Sequence, residues 1–440
     1  MSAGGAEAAP FFRPTDGQRK EEAKLGAQGS WRDAIHAGSA NVYAALVSAG
    51  ILAVTARLLG PTGRGVYAAA TSWASVFATI ASLSLGQAAI HQTAGRPHGE
   101  WAAEVAGTLR GLVLVISSIA WSVAVLLYVE TRGRFFQHIP ATALCIAFAA
   151  LPFSLWFDNG RYLLFAMERV PAFNRSQYVG YTVSGLATVV LLRGFHLGVG
   201  GALVAWMLLY ATMAIVGYAA VHSGGLSSRF SSARAGRLLS ASATLHWTTI
   251  GTFIQLQSSV LILNQFRSSQ EVAFYQLAIQ VTALGTLLPL GVSSIAYSMV
   301  ARVGPDAAWT RQRGLLVGTI AAAVVTAVVG YPLAPIGIRL IAGTAFLPAV
   351  PLVRILLVSL VGMSMSLVMA SQWVGRGLFR QMAALAIGIA VLSLVLDFSL
   401  IPRYGMYGAL VSTLAVYTVA FIANGALALW VERRTRTVNR

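Results

Sequence analysis

The sequence predicts an all-α polytopic membrane protein of about 12 transmembrane helices, in two six-helix lobes related by a pseudo-two-fold axis along the membrane normal. Three observations predict it. Apolar residues fill 57% of the 440 positions and charged residues only 10%, where a soluble protein carries about 25%. Mean hydropathy is +0.70, and the apolar residues gather in runs long enough to cross ~30 Å of hydrocarbon. The chain also repeats itself at an offset of 207 residues. This composition excludes a soluble enzyme, a disordered chain and a nucleic-acid-binding domain.

In chain order, residues 1–33 read as a flexible cytosolic tail, rich in charge (Arg13, Arg19, Lys20, Glu21, Glu22, Lys24) and without a signal-peptide core. The N-terminal lobe, 34–223, holds apolar runs at 35–56, 66–90, 107–129, 139–158, 176–194 and 199–222. A cytosolic linker follows at 224–241. The C-terminal lobe, 242–431, holds runs at 242–265, 272–298, 314–335, 349–373, 380–401 and 406–430. Residues 432–440 form a basic cytosolic tail.

Arginine placement sets the orientation. With the N-terminus in the cytoplasm, 22 Lys and Arg residues fall inside and 9 outside, the bias of an inner-membrane protein. Both termini are then cytosolic, as an even number of crossings requires. The net charge of +17 is spread thinly between apolar runs, so it speaks of topology and not of nucleic acid. Cys145 is the single cysteine and permits no internal disulfide or thiolate cluster.

The repeat is specific. Gly198-Val199-Gly200-Gly201-Ala202-Leu203-Val204 recurs as Gly405-Met406-Tyr407-Gly408-Ala409-Leu410-Val411, and Tyr210 falls on Tyr417 at the same offset. An offset of 208 pairs Pro140-Ala141 with Pro348-Ala349 and Tyr67 with Tyr275. A unit of six spans returns the chain to its starting side, so the copies share one orientation. Two lobes of that kind enclose a central cavity and favour transport over catalysis.

Signs of catalysis are missing. Lys20 and Lys24 precede Glu21 and Leu25, so no Walker motif exists, and neither HExxH nor GxSxG occurs. His91 and His98 lie in a short loop without a carboxylate at ligand spacing. No enzyme activity, cofactor or metal is expected.

Polar side chains within spans are costly and mark candidate sites. Asn41, Ser48 and Thr55 share one face of the first run. Ser72, Ser75, Thr79, Ser82 and Gly86 form a stripe on the second, which close helix packing also explains. The seventh run is the most polar, with Thr248, Thr252, Gln255 and Ser259 on one face and His246, Thr249 and Gln257 on the next. At least one of these faces is expected to meet water. Gln276 and Gln280 continue the pattern more weakly. Arg110 and Arg354 suit an anionic ligand, and they equally suit snorkelling at span ends. Asp158 beside Arg161, and Asp397 six residues before Arg403, are expected to pair locally or to be hydrated at the interface. Asn41, Arg57, Arg110, His246, Thr252, Gln255, Gln257 and Arg354 form the candidate substrate-binding set.

Several segments resemble a family. Ala56-Arg57-Leu58-Leu59-Gly60-Pro61-Thr62-Gly63-Arg64-Gly65-Val66-Tyr67 looks like the first outer loop of bacterial polysaccharide flippases of the Wzx type. Glu271-Val272-Ala273-Phe274-Tyr275, the stretch from Ala345 to Leu356, and that from Ile401 to Ala409 are similar to later elements, collinear over roughly residues 30–430. That family belongs to the multidrug/oligosaccharidyl-lipid/polysaccharide exporter superfamily. The resemblance implies two six-helix lobes around a V-shaped cavity and export of a polyprenyl-pyrophosphate-linked oligosaccharide, for exopolysaccharide, capsule or O-antigen. It also implies a polymerase and chain-length or export proteins as partners, beside membrane lipids. An ion-coupled multidrug and toxin extrusion antiporter is the alternative. Span 1 holds no carboxylate between Ser39 and Ala56, unlike the first helix of many such antiporters. Twelve spans also fall short of the fourteen usual in lipid II flippases.

Overall fold

The structure, a computed structural model, describes residues 16–93, 100–131, 133–167, 169–222 and 229–438. Among the described residues there are fourteen α-helices and no strand. The first seven are α1 (Asp16–Ser82), α2 (Leu85–Thr93), α3 (Glu100–Glu130), α4 (Ala141–Ala149), α5 (Leu151–Ala166), α6 (Val170–Val189) and α7 (Gly198–His222). The others are α8 (Ser232–Phe266), α9 (Ser269–Leu284), α10 (Leu287–Val303), α11 (Pro305–Ala342), α12 (Val350–Gly375), α13 (Phe379–Tyr404) and α14 (Met406–Val438).

Gly60 breaks α1 into two helices. Its φ of +64° with ψ of −179° lies in a region essentially closed to residues with a Cβ. Pro61, which cannot donate a backbone hydrogen bond, starts the second part. The first apolar run therefore lies in the first arm of α1, and the second begins in its second arm and continues into α2.

Among the described residues, eight helical stretches are long and apolar enough to cross a membrane. The count becomes nine when α9 and α10, bent by 49°, are taken as one span. The expected runs are mostly helical, but three are broken: 66–90 between α1 and α2, 139–158 between α4 and α5, and 272–298 between α9 and α10; α6 and α8 are too polar to meet that standard alone. Buried Asn174, Ser176 and Gln177 on α6 show the reason: its polar face is turned into the protein. The expected tails and linker differ in extent. α1 is already helical from Asp16, α14 runs to Val438, and α8 begins at Ser232, capped by the Ser231 hydroxyl, which accepts from the Arg234 N–H at 3.3 Å. Residues 1–15, 223–228 and His98 lie outside the described residues.

The outer surface is apolar, as a lipid-facing surface must be. On α3, Leu114, Val115, Ile119, Val123 and Leu126 are exposed, and on α11 Val324, Val325 and Val328 are. In contrast, 61% of the most apolar stretch of Thr344–Gly375 is buried, which makes α12 the central helix of its half. One core joins α1 beyond Ala69 with α2 to α7. A second joins α9, α11, α12 and α14, and reaches across to Leu52, Ala56 and Ala68 of α1. The repeated glycines occupy matching places: Gly198 (φ +55°) and Gly405 (φ +59°) each turn the chain into the last helix of their half.

Candidate functional site

A cavity of about 680 Å³ lies between the halves, at the end away from the Gly60 turn. The first half supplies Thr79, Ser82, Ser84, Gln87, Asp158, Asn159, Arg161 and Tyr162. The second half supplies Thr249, Thr252, Phe253, Leu256, Val374, Arg380, Met382 and Ala383. Its wall is shaped by a break between α1 and α2, where Leu83 (φ +46°) and Ser84 (φ +53°) are left-handed without being glycine. Such strain persists where the surroundings hold it, and here they do. The Ser84 hydroxyl meets His246 Nδ1 at 3.3 Å and Thr249 Oγ1 at 3.0 Å, both on α8.

Across the floor, α2 and α5 are tied together. The Gly86 N–H donates to Asn159 Oδ1 at 2.7 Å, and Gln87 Nε2 donates to the Tyr162 hydroxyl at 3.1 Å. Arg161 donates to the same hydroxyl at 3.3 Å, lies 4.9 Å from that ring's centre and sits 3.9 Å from Asp158. The expected pairing of Asp158 with Arg161 is present. Arg380, on α13 at the opposite wall, is exposed and makes no ion pair among the described residues. The cavity thus offers one committed and one uncommitted guanidinium, with hydroxyls and amides between them.

The opposite end is sealed. Arg57 donates to the Leu340 carbonyl, and Gln270 Nε2 donates to Thr62 Oγ1 at 3.2 Å. Arg64 donates to Gln280 Oε1 at 2.7 Å. Asn264 Nδ2 donates to the Gln137 carbonyl at 3.0 Å, while His138 Nδ1 bonds the Asn264 carbonyl at 3.2 Å. Gly65 makes the tightest approach, since a Cβ built there would stand 1.7 Å from the Ser269 carbonyl oxygen. Between seal and cavity, Ser72 donates to Gln257 Oε1 at 3.3 Å. One end is closed by bonds between halves and the other is hollow, as in a carrier open to one side.

The model of a family described as polysaccharide biosynthesis protein matches residues 30–301. The chain belongs to this family. No curated protein sequence matches it. Solved structures of multidrug transporters and of a lipid flippase share its fold. A structure of the lipid II flippase MurJ in an inward closed conformation aligns with a TM-score of 0.73 at 12% identity, over 89% of this chain and 86% of that one. An inward-facing multidrug resistance MATE family transporter aligns with 0.69 at 14% identity, over 89% and 95%. An outward-facing structure of a MATE family transporter gives 0.58 at 14% identity, over 92% and 95%.

In this family member, the eight residues of the expected binding set are scattered. Thr252 lines the cavity, and His246 stands behind Ser84 in its wall. Gln257 receives Ser72 above it, and Gln255 is half-buried on the same helix. Asn41 is exposed on the first arm of α1. Three arginines hold other partners: Arg57 the Leu340 carbonyl, Arg110 the Tyr218 hydroxyl at 3.1 Å, and Arg354 the Tyr331 carbonyl at 3.0 Å. Arg110 and Arg354 also lie over the rings of those tyrosines, 5.6 and 4.8 Å from their centres. Of the serine stripe, Thr79 and Ser82 line the cavity, and Ser75 bonds the Thr71 carbonyl.

Asp397 corrects an expectation. It neither pairs with Arg403 nor sits hydrated at an interface, but is fully buried between α8 and α13. Its carboxylate accepts from Ser258 at 2.6 Å, Ser259 at 2.9 Å and Ser393 at 3.4 Å. The two polar faces of α8 therefore have different duties. Thr252 lines the cavity and Ser259, on the same face, bonds Asp397 inside its own half, whereas His246, Thr249 and Gln257 bond Ser84 and Ser72 of the other half. Arg161 and Arg380 were missed as cavity residues because arginine counting alone places them at span ends.

Proposed function

We propose that this protein is a flippase carrying a polyprenyl-pyrophosphate-linked oligosaccharide from the cytosolic to the outer leaflet of a bacterial plasma membrane. The observation that carries this reading is the cavity between the halves, with Arg161 and Arg380 on facing walls and the far end sealed. Guanidinium groups match phosphate oxygens in fork geometry, so the pyrophosphate sits against Arg380 and Arg161. Thr249, Thr252, Asn159 and Gln87 offer hydrogen bonds to sugar hydroxyls. The prenyl tail stays in lipid beside the cavity. Within the earlier binding set, Thr252 and His246 serve the inner cavity, Gln255 and Gln257 the passage, and Arg57 the exit. Asn41, Arg110 and Arg354 serve at the membrane edge.

Positive-inside topology puts the cavity end in the cytosol, because Arg161, Arg229, Arg234, Arg302, Arg376 and Arg380 gather there. Each charge crossing 100 mV is worth about 2.3 kcal/mol. A pyrophosphate diester with about two negative charges thus gains roughly 4–5 kcal/mol on leaving an inside-negative cytosol. Export needs no nucleotide on this account. Glycan polymerase and chain-length proteins would act on the delivered substrate.

The antiporter reading draws on the MATE likeness and on Asp158 in the cavity wall. Two arginines against that single carboxylate favour an anionic cargo. The test is mass spectrometry of lipid extracts from a strain lacking the protein, beside a complemented control. A polyprenyl-pyrophosphate oligosaccharide should accumulate and clear on complementation. Absence of accumulation while glycan assembly is active would sink the flippase reading and favour the antiporter.

A further inference from the structure

Arg64 is an unusual component for a seal. It is 3% exposed, and among the described residues it pairs with no carboxylate. Nη2 donates to Gln280 and the Tyr67 ring lies 4.7 Å from Cζ, but Nε and Nη1 have no acceptor. A neutral donor could make the bond to Gln280 without the desolvation penalty of a buried cation. The charge is what needs a reason.

Its position supplies one. The backbones of α1 and α9 touch beside it, at Gly65 and Ser269. Gln280 lies eleven residues beyond Ser269 on α9, about 16 Å of helix rise. The guanidinium therefore reaches inside the seam instead of decorating its rim. Arg64 and Gln280 belong to opposite halves, so parting α1 from α9 breaks their bond and leaves both facing the gap. A phosphate group entering there would meet the guanidinium donors that the closed seam leaves without acceptors.

We propose that Arg64 and Gln280 form a second anion site for the pyrophosphate group, buried in the present conformation and uncovered when the seam between α1 and α9 opens. The inference rests on the flippase reading above. It lies at the far end of the cargo's path from Arg161 and Arg380. An anion that binds only the open form draws the equilibrium toward that form, so arrival of the headgroup and opening of the exit become linked. In the empty, closed carrier, the same unmet donors oppose too firm a closure.

The experiment measures binding of inorganic pyrophosphate by calorimetry, on protein in nanodiscs carrying Cys145→Ser, Arg161→Gln and Arg380→Gln to silence the first site. Gly65→Leu wedges the seam open. The wedged protein should bind pyrophosphate, and adding Arg64→Gln should weaken that binding at least tenfold. No binding, or equal affinity with and without Arg64→Gln, overturns the proposal and leaves Arg64 a structural latch. Should Gly65→Leu not fold, Thr62→Cys with Gln270→Cys replaces it, crosslinked or not by a short bis-maleimide. The free form should bind at least tenfold more tightly than the crosslinked one, and indistinguishable affinities overturn the idea. Failure of the flippase reading would show separately, as unchanged lipid-linked oligosaccharide pools in the deletion strain.

Discussion

Two arginines on facing walls of one cavity can carry unequal weight, and their partners decide which. Arg161 shares itself between Asp158 and Tyr162, whereas Arg380 makes no ion pair among the described residues. Arg380→Gln should therefore lower the initial rate of headgroup translocation in proteoliposomes about tenfold, worth ~1.4 kcal/mol. Arg161→Gln should cost less, and Arg380→Lys should fall between, keeping charge but losing the fork. A rate unchanged by Arg380→Gln would remove that residue from the site. Asp397 acts on stability instead. Asp397→Ala leaves the Ser258 and Ser259 hydroxyls without their acceptor in a buried place, costing about 1–3 kcal/mol for each unsatisfied group. The melting temperature in detergent should drop, and Asp397→Asn, which keeps an acceptor oxygen, should lose less. The sequence disclosed Asp158 with Arg161 because a spacing of three places them on adjacent helix turns. It could not disclose Asp397 with Ser258, since partners 139 residues apart obey no local rule. For the same reason Arg380 looked like one more cytosolic base until α13 packed against α8.

At the scale of the helices, apolar runs were legible throughout, but their joints were legible only where glycine marked them. The turn at Gly60-Pro61 announces itself in the sequence, and the structure gives Gly60 a backbone conformation nearly closed to other residues. Gly60→Ala should cost about 1–3 kcal/mol in stability, read as a lower melting temperature with the helical circular dichroism signal retained. An unshifted melting temperature would mean that the two arms of α1 do not depend on this turn. The joint at Leu83–Ser84 carries no such mark, for both residues are ordinary helix or strand formers forced left-handed. Its cause is long-range: Ser84 is held by His246 and Thr249 of the other half. α8 already shows two polar faces in sequence, and only packing assigns their partners: Ser258 and Ser259 turn to Asp397 of α13, while His246, Thr249 and Gln257 meet Ser84 and Ser72 of the other half.

For the molecule as a whole, the duplicated sequence foretold two comparable halves, and Gly198 and Gly405 occupy matching entries to α7 and α14. What the repeat could not foretell was which end would be shut, because the same two halves serve either state. Closure depends on contacts between unlike segments, such as Thr62 with Gln270 and Gln137 with Asn264. Joining Thr62→Cys to Gln270→Cys with a cleavable bis-maleimide, in a Cys145→Ser background, should stop export, and cleaving the linker should restore it. Export that persists while crosslinked would exclude seam opening as a step of transport. The composition of α6 and α8 also bears on how the chain is made. Both helices are less apolar than the chain's clear membrane-span candidates. Neighbours that accept their polar side chains would ease their entry into the bilayer. The Asp397 carboxylate that receives Ser258 and Ser259 emerges from the ribosome long after α8 does. Until then the serines of α8 have no carboxylate to bond, so biogenesis passes through a half-built stage in which the insertion machinery itself must shelter a polar helix.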